Sequence, residues 1–124
     1  MECIVRNATR GTVLANRVVV AASLARRLRG LIGTDMLRPE QGMLLTPCRR
    51  VHSFFMRYPL DLVFLNEQGR VVRTVRDFAP RRISPFVADA SAVLELRAGA
   101  LADTPVAPGD LLHVERRGSA SEER

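Results

Sequence analysis

The chain has 124 residues, 47% of them hydrophobic, and a formal net charge of +6. This length fits one ordinary domain, which needs neither disulfides nor a metal to form a core. Two cysteines exclude a disulfide framework, and residues 18–24 are far too short an apolar run for a membrane span of about 20 residues. With no secretion signal at the start, we expect one cytoplasmic, monomeric domain over residues 1–117 and a disordered polar tail over 118–124.

The basic charge comes from arginine alone, with 19 arginines and no lysine. A nucleic-acid-binding protein concentrates such charge on one face and places aromatic groups within it. Here the adjacent pairs are dispersed along the chain, and only two of them lie near phenylalanines. The pairs are Arg26/Arg27, Arg49/Arg50, Arg81/Arg82 and Arg116/Arg117. The sequence therefore predicts a solvated arginine surface and no specific nucleic-acid partner.

Strand signals dominate the chain. Apolar, β-branched runs separated by turn residues predict strands at 2–6, 12–21, 42–45, 60–66, 71–75, 92–97 and 111–115. Between the second and third runs, Ser23 is a predicted helix N-cap, and leucines repeat at helical spacing up to Gly33. Residues 98–103 are long enough for one further helical turn.

The connections between these elements define the predicted fold. Short hairpin turns dominate, and no alternation of strands and helices typical of a parallel nucleotide-binding sheet occurs. Residues 77–91 form the longest irregular loop and are a natural wall for a site. We predict an α+β fold, with a mostly antiparallel, strongly curved or barrel-like sheet of about seven short strands and one main helix.

Asp61 is the most informative single residue, because it interrupts an apolar run. In a strand both of its flanking faces would be apolar, so its carboxylate needs a partner or a proton. The candidate partners are backbone N–H groups and the side chains of His52, Arg57 and Arg97. Two roles stay open: a structural carboxylate that pins the turn at residues 58–59, or a ligand-binding or catalytic group.

Glu95 repeats this pattern within residues 92–97. If its strand neighbours that of Asp61, the two carboxylates can face one pocket. Paired carboxylates perform general acid–base chemistry when their surroundings separate their pKa values. A salt bridge between Glu95 and an arginine is the alternative.

Cys48, His52 and Met56 together offer the sulfur and imidazole ligands that suit Cu(I). Four residues span about 13 Å in a strand, too far for one ion, although a bent loop could gather two of the three. No catalytic-cysteine motif surrounds Cys48, which argues against a Cys48–His52 nucleophile pair. Phosphate-binding, dinucleotide-binding and zinc-protease motifs are also absent. We predict no metal and no cofactor.

Six segments carry a family resemblance. In chain order they are GLIGTDML (30–37), GMLL (42–45), FFMRYPLDLVFLNEQGRVV (54–72), AP (79–80), VLELRAG (93–99) and PGDLLHV (108–114). This order, over residues 24–115, resembles domain-of-unknown-function family 192, a small domain of bacteria and archaea. Phe55 stands where the family commonly has tryptophan, and residues 57–59 read Arg-Tyr-Pro where Lys-Asn-Thr is common. The resemblance implies a fold class and no activity.

The aromatic groups at 54–58 beside Arg57 suit a small polar or anionic ligand, held by bidentate hydrogen bonds and stacking. The leading hypothesis is a binding module with residues 77–91 as one wall of its pocket. Its predicted lining is His52, Phe54, Met56, Arg57, Asp61 and Glu95. An enzyme that uses Asp61 or His52 as general acid–base is one alternative. The other is an adaptor that docks a protein or polyanion through a sheet edge or the arginine surface.

Overall fold

The structure, a computed structural model, describes residues 2–21, 37–54 and 56–116. The predicted main helix after Ser23, the predicted tail at 118–124 and Phe55 lie outside the described residues. Within the described part of the chain, no helix is both long enough and apolar enough to cross a membrane.

Seven strands form one mixed sheet, ordered β5-β4-β6-β3-β2-β1-β7. The strands are β1 (Glu2–Asn7), β2 (Thr12–Ala21), β3 (Gln41–Leu45), β4 (Leu60–Leu65), β5 (Val71–Phe78), β6 (Ala92–Arg97) and β7 (Leu112–Arg116). A one-turn helix, α1 (Ala100–Asp103), follows β6. The prediction of about seven short strands in a curved sheet is confirmed, whereas the described residues provide only this one short helix.

Among the described strands, β2 and β3 pair in parallel, and every other neighbouring pair is antiparallel. A parallel pair requires a long crossover, which the connection over residues 22–40 is long enough to supply. The predicted strand positions agree closely with the observed ones. The largest difference is β5, which continues to Phe78 instead of ending at residue 75.

The two edge strands meet at one end and close the sheet into a half-barrel. Val71 donates a backbone hydrogen bond to Asp110 O at 2.8 Å, and Leu112 donates one to Gly69 O at 2.9 Å. Gly69 has φ +85°, and a Cβ there would lie 2.7 Å from Leu112 O. This close approach requires glycine both sterically and conformationally. The resulting contact fixes the closed end of the half-barrel.

Each face of the sheet carries its own hydrophobic cluster. The inner cluster takes side chains from all seven strands, and Val5, Val18, Val63 and Leu94 at its centre are fully buried. The outer cluster takes Leu62, Phe64 and Val93 from the central strands and packs against the loops around residues 51–58 and 87–90. Because the central strands are covered on both faces, all six residues of β4 are buried.

Candidate functional site

Two irregular segments pair with each other across the outer face, and we call residues 49–53 and 81–87 the outer ribbon. Their backbones run antiparallel: Ser53 N–H donates to Arg82 O at 2.9 Å, Ser84 N–H to Val51 O at 2.8 Å, and Val87 N–H to Arg49 O at 2.9 Å. The Ser53 hydroxyl also donates to Ala79 O at 2.6 Å. The sequence-predicted loop over 77–91 is therefore one half of an ordered ribbon.

Val51 and Ser84 anchor the ribbon to the sheet. The Val51 side chain is buried in the outer cluster, and its backbone N–H donates to the Ser84 hydroxyl at 2.9 Å. Alternate residues of an extended segment point to opposite sides. Burial of Val51 and Ser53 thus directs the side chains of Arg50, His52 and Phe54 away from the sheet.

Large apolar side chains stand exposed on the ribbon and next to it. The exposed fractions are 50% for Phe54, 58% for Ile83 and 55% for Phe86. The His52 ring stacks on the Phe54 ring with centroids 5.0 Å apart and an interplanar angle of 27°. Contiguous exposed apolar groups rimmed by polar residues mark interaction sites.

Exposed arginines lie in the same two segments as these apolar side chains. The Arg50 guanidinium lies over the Phe86 ring, 5.5 Å from its centroid, which is cation–π geometry. Arg81 and Arg82 are exposed where the ribbon reaches Ser53. We define the arginine–aromatic surface by six residues: Arg50, Phe54, Arg81, Arg82, Ile83 and Phe86.

The arginines of this surface have no carboxylate partner among the described residues. In the described part of the chain no carboxylate forms an ion pair with Arg50, Arg81 or Arg82. Arg73 and Arg76 on β5 likewise form no ion pair among the described residues, but several arginines elsewhere on the half-barrel do have carboxylate partners. These pairs are Arg6–Glu115 at 3.2 Å, Arg10–Asp110 at 2.7 Å and Arg17–Glu2 at 3.4 Å.

The carboxylate of Asp61 accepts hydrogen bonds from backbone N–H groups. Its Oδ1 accepts the Asp77 N–H and its Oδ2 accepts the Leu101 N–H, both at 2.9 Å, and the residue is fully buried. Leu101 belongs to the first turn of α1, whose N–H groups lack partners within the helix. Arg97, one sequence-predicted partner, pairs with Asp103 instead. Asp61 therefore ties α1 and the end of β5 to β4.

Asp61 and Glu95 do not face one pocket. Their strands are neighbours, as the hypothesis required, but the register pairs Leu62 with Glu95 and Asp61 with Leu96. Directly paired residues share a face, so Glu95 lies on the outer face with Leu62 and Asp61 lies on the inner face. The shared carboxylate pocket is wrong, because the one-residue offset places the two carboxylates on opposite sides.

The other predicted pocket residues divide between the ribbon and the core. His52 and Phe54 lie on the outward side of the ribbon, and Arg57 is exposed beside it. Met56 is buried in the outer cluster. Since Asp61 is on the inner face, it does not converge with His52 on a common concavity.

Cys48 lies at the edge of the outer cluster, and its thiol donates to Arg50 O at 3.1 Å. An open cleft of about 350 Å³ beside it is lined by Cys48, Arg49, Glu67 and Ser91, among others. Arg49 and Glu67 give this cleft charges of both signs.

No group of three histidine, cysteine or carboxylate side chains suited to a metal occurs in residues 2–21, 37–54 and 56–116.

A polar cluster at the closed end of the half-barrel was absent from the sequence hypotheses. Asp110 Oδ2 accepts hydrogen bonds from Asn7 Nδ2 at 3.0 Å, Arg10 Nε at 2.7 Å and Ala107 N at 3.1 Å. The Asn7 amide is the main cause that lowers the pKa of Asp110 below 3.8, with burial opposing it and Arg10 adding to it. This arrangement is structural, since it ties the turn after β1 to the start of β7.

Sequence reasoning also missed the arginine–aromatic surface. Arg50 and Phe86 are 36 residues apart along the chain, and Phe54 and Arg82 are 28 apart. The sequence does carry one signal for this surface: of the four arginine pairs, only Arg49/Arg50 and Arg81/Arg82 have phenylalanines nearby. The backbone pairing that unites them has no strand-like sequence pattern.

Comparisons with known proteins agree with this fold. A family model for DUF192, described as "Uncharacterized ACR", matches residues 5–114. A structure of a protein of unknown function from Novosphingobium aromaticivorans DSM 12444 is 25% identical with a TM-score of 0.74, covering 91% of this chain and 84% of that chain. A "putative transcription regulator" from Sinorhizobium meliloti 1021 is 26% identical with a TM-score of 0.72, covering 91% and 92%. No curated protein matches the chain.

Proposed function

This chain belongs to the DUF192 family, and from the geometry of its outer ribbon we propose that it is a binding module for an anionic partner. The arginine–aromatic surface is its proposed docking site. The observation that carries the proposal is the set of arginines without carboxylate partners, among the described residues, around exposed Phe54 and Phe86. This is the adaptor hypothesis in a more specific form.

Arginines next to exposed aromatic side chains are more typical of a binding surface than of a surface that only keeps a protein soluble. Arginine and large aromatic residues are enriched among the residues that dominate binding energy at interfaces. An uncompensated positive patch also attracts an oppositely charged partner and raises its association rate. The Sinorhizobium meliloti protein is described as a "putative transcription regulator", and contact with a polyanion fits that description.

The competing hypotheses have weaker support. A general base at Asp61 must accept a proton, but both of its oxygens already accept hydrogen bonds from backbone N–H groups. A small-ligand pocket lined by His52, Asp61 and Glu95 would need side chains from both faces of the sheet. The docking role requires only side chains that are already exposed on the ribbon or next to it.

Chromatography on immobilised heparin, a sulfated polyanion, tests the proposal. The double variant Arg81→Gln/Arg82→Gln removes two charges from the surface. The matched control, Arg6→Gln/Arg17→Gln, also removes two charges, but from arginines that already pair with Glu115 and Glu2. We expect the ribbon variant to elute at clearly lower NaCl than both the control and the wild type. Equal shifts for the two variants would mean that net charge alone determines retention and would refute the site.

A further inference from the structure

Resting on this proposed function, we infer that the anionic partner is a single-stranded nucleic acid, bound without sequence preference. Proteins of this class combine a positively charged track for the phosphates with aromatic side chains on which bases stack. The arginine–aromatic surface has both components within one ribbon. Stacking tolerates any sequence, because every base has a π face.

The aromatic groups are presented in a form suited to bases. Phe54 is half exposed and already carries one planar partner, His52, on its ring. Phe86 is 55% exposed, and the Arg50 guanidinium lies over its face. A base that stacks on either ring would gain apolar contact close to a cation that can reach its phosphate.

The same geometry disfavours duplex DNA. The major groove accepts a helix or a projecting two-stranded ribbon. The outer ribbon packs against the sheet, because its residues Val51 and Ser84 are buried, and it therefore does not project from the surface. In a duplex, the faces of the bases are also stacked on each other and unavailable to Phe54 and Phe86.

An acidic peptide is the competing macromolecule. An extended peptide binds most readily by adding a strand to an open edge, with pockets for alternate side chains. The inner edges of the ribbon segments are already bonded to each other through residues such as Ser53 and Ser84. Phe54, Ile83 and Phe86 are each at least half exposed, so none of them lines an enclosed pocket for a peptide side chain. The charge would attract such a peptide, but the projecting rings would contribute little.

Fluorescence anisotropy with labelled dT20 and a labelled glutamate 20-mer separates these partners. In the full chain, Phe54→Leu removes the ring and keeps an apolar side chain, and Val13→Ala on β2 controls for loss of exposed apolar area elsewhere. We expect Phe54→Leu to weaken dT20 binding by roughly 5- to 100-fold, as loss of one stacked base does. Val13→Ala should leave dT20 binding unchanged. Phe54→Leu should leave binding of the glutamate peptide unchanged.

Salt dependence supplies the second measurement. Each phosphate contact on a single strand contributes about 0.7 to the slope of log K against log salt. Arg81→Gln/Arg82→Gln should therefore reduce the slope for dT20 by about 1.4 if both arginines contact phosphates. The dT20·dA20 duplex should bind more weakly than dT20.

The outcomes separate the two proposals. If dT20 and the glutamate peptide bind equally, and only the arginine variant weakens them, the nucleic-acid inference is overturned while the anionic docking site stands. Tighter binding of the duplex would overturn the inference in the same way. If neither probe binds the wild type better than it binds Arg81→Gln/Arg82→Gln, both proposals are refuted. Far-UV circular dichroism of each variant verifies that the fold is intact.

Discussion

Charged side chains serve opposite purposes at the closed end of the half-barrel and on the outer ribbon. At the closed end, Asp110 accepts hydrogen bonds from both Asn7 and Arg10, and its carboxylate is buried. On the ribbon, Arg81 and Arg82 point into solvent, and no carboxylate of the described residues pairs with them. The first arrangement joins elements of the fold, whereas the second leaves its charge available.

The difference indicates which residues are maintained for stability and which are not. Removing a partner from a buried hydrogen-bonded carboxylate leaves polar groups unsatisfied and is strongly destabilising. Removing an exposed arginine without a partner changes stability little. Substitutions on the inner side should therefore affect unfolding, and those on the ribbon should affect binding. Three predictions test this division.

The largest effect is expected at Asp61. Asp61→Ala removes the acceptor of the buried Leu101 N–H and of the Asp77 N–H, at about 1–3 kcal/mol for each orphaned donor. We expect the free energy of unfolding to fall by roughly 2–5 kcal/mol in urea denaturation. Heparin retention of the folded variant should not decrease.

Asp77→Asn is the matched control for this experiment. The Asp77 side chain is exposed, only its backbone N–H contacts Asp61, and asparagine tolerates its positive φ of 54°. This variant should stay within about 0.5 kcal/mol of the wild type. A stable Asp61→Ala protein that loses binding would instead assign Asp61 to a ligand site and break the comparison.

A moderate and pH-dependent effect is expected at Asn7. Because its amide lowers the pKa of Asp110 below 3.8, Asp110 contributes stability above the unfolded-state pKa. That contribution is lost as the pH falls through the lower folded-state pKa. Asn7→Ala should cost about 1–3 kcal/mol at pH 7, and the difference from wild type should shrink at acidic pH.

Urea midpoints measured from pH 7 down to pH 2.5 test the effect at Asn7. Asn66→Ala is the control, because Asn66 Oδ1 accepts the Gln68 and Arg70 backbone N–H groups and, among the described residues, Asn66 forms no hydrogen bond with a carboxylate. It should lower stability by a similar amount at every pH. Parallel pH profiles for Asn7→Ala and wild type would contradict a structural role for the buried Asn7–Asp110 pair.

The sequence predicted the strands well because each one carries a local signal. Apolar, β-branched runs identified β2, β4 and β6 nearly to the residue. Because β4 and β6 are buried on both faces, they form almost continuous apolar runs. The half-barrel followed from the number of short hairpins. The parallel pairing of β2 with β3 has no local signal, because it depends on where a long crossover returns the chain.

The site was harder to predict because register and long-range pairing decide it. The sequence suggested that the strands of Asp61 and Glu95 could be neighbours, and they are. It did not give their register, and a one-residue change of register reverses the face on which every side chain lies. The ribbon depends on hydrogen bonds between residues such as Ser53 and Arg82, which are far apart in sequence and lie outside regular strands. Neither feature can be read from periodicity.

The smallest effect, and the sharpest test of the comparison, is expected at Arg81 and Arg82. Arg81 has φ +62°, a left-handed conformation that disfavours any side chain by about 1–2 kcal/mol, whereas Arg82 is not among the positive-φ residues. Glycine removes that strain at Arg81 but adds about 0.4–1 kcal/mol of unfolded-state entropy at either position. Arg81→Gly should therefore be up to about 1 kcal/mol more stable than wild type, and Arg82→Gly should be about 0.4–1 kcal/mol less stable.

The two glycine variants lose the same charge, so their heparin elution should fall by similar amounts while their urea midpoints move in opposite directions. Such a result would mean that Arg81 keeps a strained backbone for binding and not for stability, as strained residues at functional sites do. If Arg81→Gly were destabilised as much as Arg82→Gly, the Arg81 side chain would contribute to the fold. The ribbon would then resemble the closed end of the half-barrel, where the charged groups are structural.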